Sequence, residues 1–259
     1  MLKEAQLFET VDKVAIAIER LRTFEPPEGY YLAFSGGKDS CVIKQLAIES
    51  GVKFDAHYSV TTIDPPDLVY FIREHHPDVI WERPEVPFLK KLVTKGFPLR
   101  QQRWCCQLYK ENGGQGRLVL TGIRKAESRS RHNRKLVEHC LTDSSKRFLH
   151  FIIDWHYEDV WGFIRDRKLP YCKLYDEGWT RIGCLLCPMQ RDIALKKRQM
   201  EMYPAYEKAF RQAFRRLYAR RKEAGAKSIE RWQNGDEMFE WWLSGKGNKK
   251  DDSLWLFEG

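Results

Sequence analysis

The stretch YYLAFSGGKDSCVIKQLA, residues 30–47, carries the fold. Its first five residues form an apolar and aromatic run of strand length, Ser35-Gly36-Gly37-Lys38-Asp39-Ser40 is a glycine-centred turn, and residues 41–47 place apolar side chains at helical spacing. The order is strand, glycine loop, helix. Two adjacent glycines let the backbone turn its N–H groups toward a common point, and the following helix adds its positive N-terminal end. Phosphate oxygens are the natural occupant. Lys38 offers a point charge for a β- or γ-phosphate, Ser35 and Ser40 offer hydroxyls, and Asp39 can hold a magnesium ion or cap the helix. One Gly-Gly pair and a short interval to the lysine match neither a Walker loop nor a dinucleotide-binding loop. The plain alternative is an ordinary strand-to-helix turn.

Working outward, residues 4–22 place Leu7, Val11, Val14, Ile18 and Leu21 at helical spacing, and Pro26, Pro27 and Gly29 stop that helix. Residues 54–60, 79–81, 117–122 and 148–153 read as further strands, with helices over 66–75, 87–95 and 157–167 between and after them. The alternation predicts an α/β fold: a mostly parallel five-stranded sheet with helices on both faces, whose ligands bind at the carboxyl ends of the strands. Beyond Pro188 the strand signals stop, and helices rich in Arg, Lys, Tyr and Trp follow, broken near Gly225 and Gly235. The expected organisation is a nucleotide-binding α/β domain over 1–189 and a basic helical extension over 190–259. The closing GKGNKKDD reads as loose, and no internal repeat is visible.

The 259 residues, 42% hydrophobic and 31% charged, describe a globular chain and exclude a disordered tail, a collagen-like repeat and a small disulfide-stapled module. The N-terminus lacks the pattern of a signal peptide, and no apolar run reaches 18 residues, so the expected location is the cytoplasm with no membrane partner. A net charge of +9 favours polyanionic partners. Residues 190–222 hold eleven Lys or Arg against three Asp or Glu, nearly the whole surplus. Tyr203, Tyr206, Phe210, Phe214 and Tyr218 are interleaved with these charges, either to track the phosphate backbone of DNA or RNA or as one helix's packing face.

SGGKDS after the first strand resembles the pyrophosphate loop of the adenine-nucleotide alpha-hydrolase superfamily. TGIRKAESRSR (residues 121–131) and the stretch 152–189 resemble segments of the phosphoadenosine-phosphosulfate reductase family. The resemblance is collinear over residues 30–189. It implies that Ser35, Gly36, Gly37, Lys38, Asp39 and Ser40 cradle the phosphates of ATP or a sulfonucleotide with Mg, and that Lys38 and Asp39 serve catalysis. It also implies that Thr62, Gly122, Arg124 and Arg131 meet the nucleotide, arginines at a strand end being suited to bidentate phosphate contacts. Taken alone, each arginine is equally a surface charge. Trp155, Trp161 and Phe163 read as core aromatics.

Cys105-Cys106 and Cys184-x-x-Cys187 bring four thiols to two loops, a pattern for one shared centre. Together they resemble the cysteines that hold an iron-sulfur cluster in assimilatory adenylyl-sulfate reductases. Spacing alone leaves zinc open, although adjacent cysteines are awkward around tetrahedral zinc. Cys140, on the strand expected before residues 148–153, is an alternative to Cys105, and Cys41 and Cys172 read as buried small hydrophobes. The reductases attack sulfur with a thiolate near their C-terminus, whereas no cysteine follows Cys187 here. The expectation is therefore an ATP pyrophosphatase-type enzyme that adenylylates a substrate and takes part in sulfur transfer, with DNA or RNA as an acceptor and a cysteine desulfurase or other sulfur donor as partner. Reduction of a sulfonucleotide by an external thiol and a catalytically silent nucleotide- or nucleic-acid-binding module are the alternatives.

Overall fold

The computed structural model describes residues 3–5 and 10–246. Most of the GKGNKKDD segment lies outside them. The strands are β1 (Lys3–Ala5), β2 (Thr10–Asp12), β3 (Tyr30–Phe34), β4 (Phe54–Ser59), β5 (Ile80–Glu82), β6 (Leu118–Leu120), β7 (Val137–His139) and β8 (Arg147–Leu149). The helices are α1 (Lys13–Thr23), α2 (Lys38–Ser50), α3 (Pro66–His75), α4 (Phe88–Lys95), α5 (Trp104–Tyr109), α6 (Arg129–His132), α7 (Tyr157–Asp166), α8 (Ile193–Met202), α9 (Pro204–Glu223) and α10 (Gly235–Leu243).

The chain divides into two compact units, and the division does not follow the chain order expected from sequence. The first comprises residues 1–59, 66–82 and 112–183, and the second comprises 60–65, 83–111 and 184–259. The C-terminal helices therefore share a unit with two inner segments, and the boundary falls at 183/184 rather than 189/190.

The first unit holds a six-stranded sheet in the order β5-β4-β3-β6-β8-β7, parallel throughout except for β7, which pairs antiparallel with β8. One strand more than expected stands at the edge, because Val137–His139 is short and two of its three residues are polar. β3 is central and nearly fully buried, as an apolar run flanked by parallel neighbours should be. β8 stops at Leu149, earlier than expected: the amide of Ile153 turns back to the carbonyl of His150, and residues 151–154 form turns. The helix expected over 4–22 is also shortened. Asp12 accepts from the amides of Val14 and Ala15, capping α1 at that point, and the backbone before it forms the β1–β2 pair.

Two glycines in this unit are fixed by space. Gly36 has φ +70°, and a Cβ there would lie 2.7 Å from Ile72 Cδ1. A Cβ on Gly122 would lie 3.0 Å from Cβ of Asp39, so the end of β6 approaches the first turn of α2 only without a side chain.

The second unit is built on α9, with α4, α8 and α10 packed on it. Phe210 and Phe214 have no exposed surface and meet Trp242 and Phe239 of α10, while Phe88 of α4 lies 5.9 Å from Phe210. Tyr206 donates to the carbonyl of Asp64, and Tyr218 to that of Trp232. Of the two readings of these aromatics, the packing face describes Phe210 and Phe214. Their i, i+4 spacing puts them on one stripe, and burying each stabilises the fold by roughly 1.5–3 kcal/mol.

Candidate functional site

In the first unit, Ser35 to Ser40 close the carboxyl end of β3 and open α2. The N-cap is Gly37, which has no side chain to occupy the helix end. Ser40 Oγ donates to the carbonyl of Gly37 at 2.8 Å, and Ser35 Oγ donates to Ser40 Oγ at 3.3 Å, so both hydroxyls brace the turn. The amide of Lys38 donates to the hydroxyl of Tyr175 at 2.9 Å. The amide of Gly37 donates to Ser35 Oγ at 3.4 Å, so two amides of the turn are met by protein oxygens.

Lys38 is buried, with its Nζ 2.9 Å from Asp39 Oδ2 and 5.4 and 5.7 Å from the ring centres of Tyr157 and Tyr175. The other carboxylate oxygen of Asp39 receives Arg124 Nε at 2.8 Å, and Arg124 is only 3% exposed. Arg124 accordingly holds Asp39 in place. Its backbone amide is accepted by Glu127, which also pairs with Arg131. Burial lowers the pKa of Arg131 first, and the charges of Arg181, Arg124 and Arg134 lower it further against that of Asp39. Lys38, Asp39, Gly122, Arg124 and Arg131 are therefore brought to the carboxyl edge beside the loop.

Thr62 lies in the second unit, at φ +65°, where its hydroxyl accepts the amide of Phe88 and caps the start of α4. Tyr157, Tyr175 and Arg181 are absent from the sequence-based set. Tyr175 sits in a turn of Lys173–Tyr175 with no periodic signal, and the 175-to-38 contact is long-range in sequence.

In the second unit, Cys105, Cys106, Cys184 and Cys187 line one cavity of about 40 Å³ together with Thr61, Lys110 and apolar side chains. Cys140 is not in its wall. Cys105 and Cys106 follow each other on α5; their mutual interaction brings the Cys106 thiol down to about 6 against the effect of burial, and together with burial it pushes Cys105 up. Cys184 donates to Thr61 Oγ1 at 3.5 Å, and burial raises its pKa. The charge of Cys184 in turn raises that of Lys110, the residue after α5 that the sequence did not single out.

The loop between the last two cysteines is clamped. The amide of Leu185 bonds to the carbonyl of Ile63, that of Leu186 to Gln199 Oε1, and Arg100 donates to the carbonyls of Pro188 and Met189. Leu186 is held at φ +52°, a conformation that costs a non-glycine residue energy and is kept by these bonds. Among the described residues no three His, Cys, Asp or Glu side chains are placed to hold one metal ion. No helix among them is long and apolar enough to cross a membrane.

The model of the phosphoadenosine phosphosulfate reductase domain matches residues 29–190, more than half of the chain, and the chain belongs to that family. It is 30% identical over 221 residues to an uncharacterised protein of Methanocaldococcus jannaschii, covering 78% of this chain and 45% of that protein. It is 28% identical over 149 residues to the adenosine 5'-phosphosulfate reductase of Oceanobacillus iheyensis, covering 52% of this chain and 58% of the reductase. The chain spans about half the length of the curated relatives it matches. The fold is similar to that of the phosphoadenylyl-sulfate reductase of Candida auris, with a TM-score of 0.52 at 20% identity over 65% of this chain and 87% of that one.

Proposed function

We propose that the chain binds ATP at Ser35–Ser40 and transfers its adenylyl group to an acceptor in a sulfur-transfer reaction. The observation that carries this reading is the loop itself: a helix start with glycine at its N-cap, a buried lysine and a braced carboxylate on one turn at the carboxyl edge of a parallel sheet. An acceptor oxygen attacks the α-phosphorus in line, an O–P bond forms, and the bond to the bridging oxygen breaks. Pyrophosphate leaves with the electron pair, and the acceptor's proton passes to solvent. Lys38 and the loop amides stabilise the charge on the departing group, and Tyr175 withdraws its hydroxyl from the Lys38 amide to admit a phosphate oxygen. Asp39 is the residue that would hold magnesium, whose positive charge offsets that of the phosphates.

The four thiols in one wall are the donor set of an iron-sulfur cluster. A single tetrahedral zinc with Zn–S bonds of about 2.3 Å needs its sulfurs about 3.8 Å apart around one point. The cysteines line one cavity, and the adjacent pair Cys105-Cys106 is awkward around a single tetrahedral ion, which favours the cluster. Cys105, Cys106, Cys184 and Cys187 would hold it, and it would supply electron transfer or a binding site for sulfide. The enzyme works in the cytoplasm on this reading, with a sulfur donor as partner.

The matching adenosine 5'-phosphosulfate reductases favour a second reading, reduction of a sulfonucleotide by an external thiol. Anaerobic incubation of the full chain separates the two. Pyrophosphate and AMP formed from ATP with nucleic acid and a sulfide source support adenylyl transfer. Sulfite released from adenylyl sulfate and a thiol, with no pyrophosphate from ATP, overturns it in favour of the reductase.

A further inference from the structure

A second cavity of the second unit, about 450 Å³, is lined by Lys95, Arg103 and Arg221, by Gln101, Gln102 and Gln107, and by the rings of Phe97 and Trp104. Three cations stand in this wall and no acidic residue does. Its volume is that of a small-molecule site. Two of the cations lie near rings: Lys95 Nζ is 5.9 Å from the ring centre of Trp104, and the Arg221 guanidinium is 5.8 Å from that of Phe97. Gly96 gives Arg221 its room, since a Cβ there would come within 2.6 Å of Arg221 Nη2, and its φ of +90° suits glycine.

Arg221 Nη1 and the indole N–H of Trp104 are both buried without a hydrogen-bond partner among the described residues. Buried donors in folded proteins are normally met, and burial of the Arg221 charge lowers its pKa. The complement that three lining cations without a lining carboxylate call for is anionic. The three carboxamides add paired donors and acceptors of the kind that read a base edge. α5 also supplies both centres: Trp104 and Gln107 line this cavity, while Cys105, Cys106 and Tyr109 line the thiol cavity.

We propose that this cavity binds a phosphate-bearing nucleotide unit, which names the acceptor class for the adenylyl and sulfur transfer and rests on that reading only for its role in the reaction. The unit comes either from a single-stranded nucleic acid or from a free nucleotide. Binding is measured on the full chain by fluorescence anisotropy with labelled single-stranded RNA and DNA 12-mers over a salt series. AMP, UMP and inorganic phosphate serve as competitors, and ATP binding is titrated separately.

Lys95 and Arg103 are exposed, so Lys95→Gln and Arg103→Gln keep the fold. Each should weaken binding about three- to tenfold and lower the salt slope by about one, with ATP binding unchanged. Arg221→Gln, checked by circular dichroism, should weaken it at least as much. Tight strand binding with weak competition by mononucleotides assigns the site to nucleic acid. Mononucleotides that bind as tightly as the strand assign it to a free nucleotide. Absence of binding by either, or binding that Lys95→Gln and Arg103→Gln leave unchanged, overturns the proposal. Loss of ATP binding with the cavity's binding intact removes the adenylyl-transfer reading alone.

Discussion

Tyr175 occupies a hydrogen-bonding position that the proposed substrate needs. Its hydroxyl accepts from the Lys38 amide, and its ring packs edge-on against Trp161. Tyr175→Phe removes the oxygen and keeps the ring packing. A typical hydrogen bond contributes about 0.5–1.5 kcal/mol net, so the variant should bind ATP about three- to tenfold more tightly by isothermal titration calorimetry. Weaker binding would make the hydroxyl part of the nucleotide site instead of its competitor. At this scale the sequence was legible where chemistry and spacing coincide, as in Ser35 to Ser40 and in the four cysteines that share one cavity. It was not legible for Tyr175, Arg181 or Lys110, because each acquires its surroundings from a contact distant in the chain. Arg124 shows the same limit: its residue type suggested a phosphate ligand, and its burial and its pairing with Asp39 were not visible.

Among the elements, α2 and α3 are joined by a buried polar group that should make stability depend on pH. His76 lies just beyond α3, with Nδ1 3.2 Å from Lys44 Nζ and Nε2 3.8 Å from Cys41 Sγ, and Lys44 reaches Asp78 at 2.6 Å. Burial foremost, then the Lys44 charge, lowers the pKa of His76 from 6.5 to about 4. The neutral ring is therefore kept in the fold while the unfolded chain takes up a proton below pH 6.5. Its contribution to stability is present above that value and is lost as the pH falls toward 4. Between pH 7.5 and 5.0 the loss from this residue is about 2 kcal/mol. Urea unfolding at the two values should show a smaller drop for His76→Asn than for the unaltered chain; equal drops would mean that His76 titrates normally. The elements themselves were legible where apolar runs are long, as in β3 and α3. The strand expected near Cys140 was left out of the five-stranded sheet because Glu138 and His139 give it no apolar run to fix its bounds, and α1 begins late because Asp12 caps it.

For the whole molecule, the sequence conveyed the mostly parallel sheet but not the division into units, since residues 60–65 and 83–111 join the C-terminal helices through side-chain packing that no local pattern announces. The thiol cavity falls within the second unit and the glycine loop within the first. Metal content and nucleotide binding are therefore separable. Anaerobic purification should yield a brown protein with iron and labile sulfide, and Cys184→Ser should lose most of the iron while still binding ATP. Full iron in that variant would remove Cys184 from the ligand set, and zinc in place of iron would replace the cluster by a structural site. The central claim is that the turn after β3 receives the phosphates of an adenine nucleotide. Calorimetric titration of ATP into the unaltered chain and into Lys38→Ala tests it most directly: saturable binding, weakened at least tenfold by the substitution in a variant that remains folded, is the predicted result. Equal affinity in the two proteins, or no binding by the unaltered chain, would contradict it.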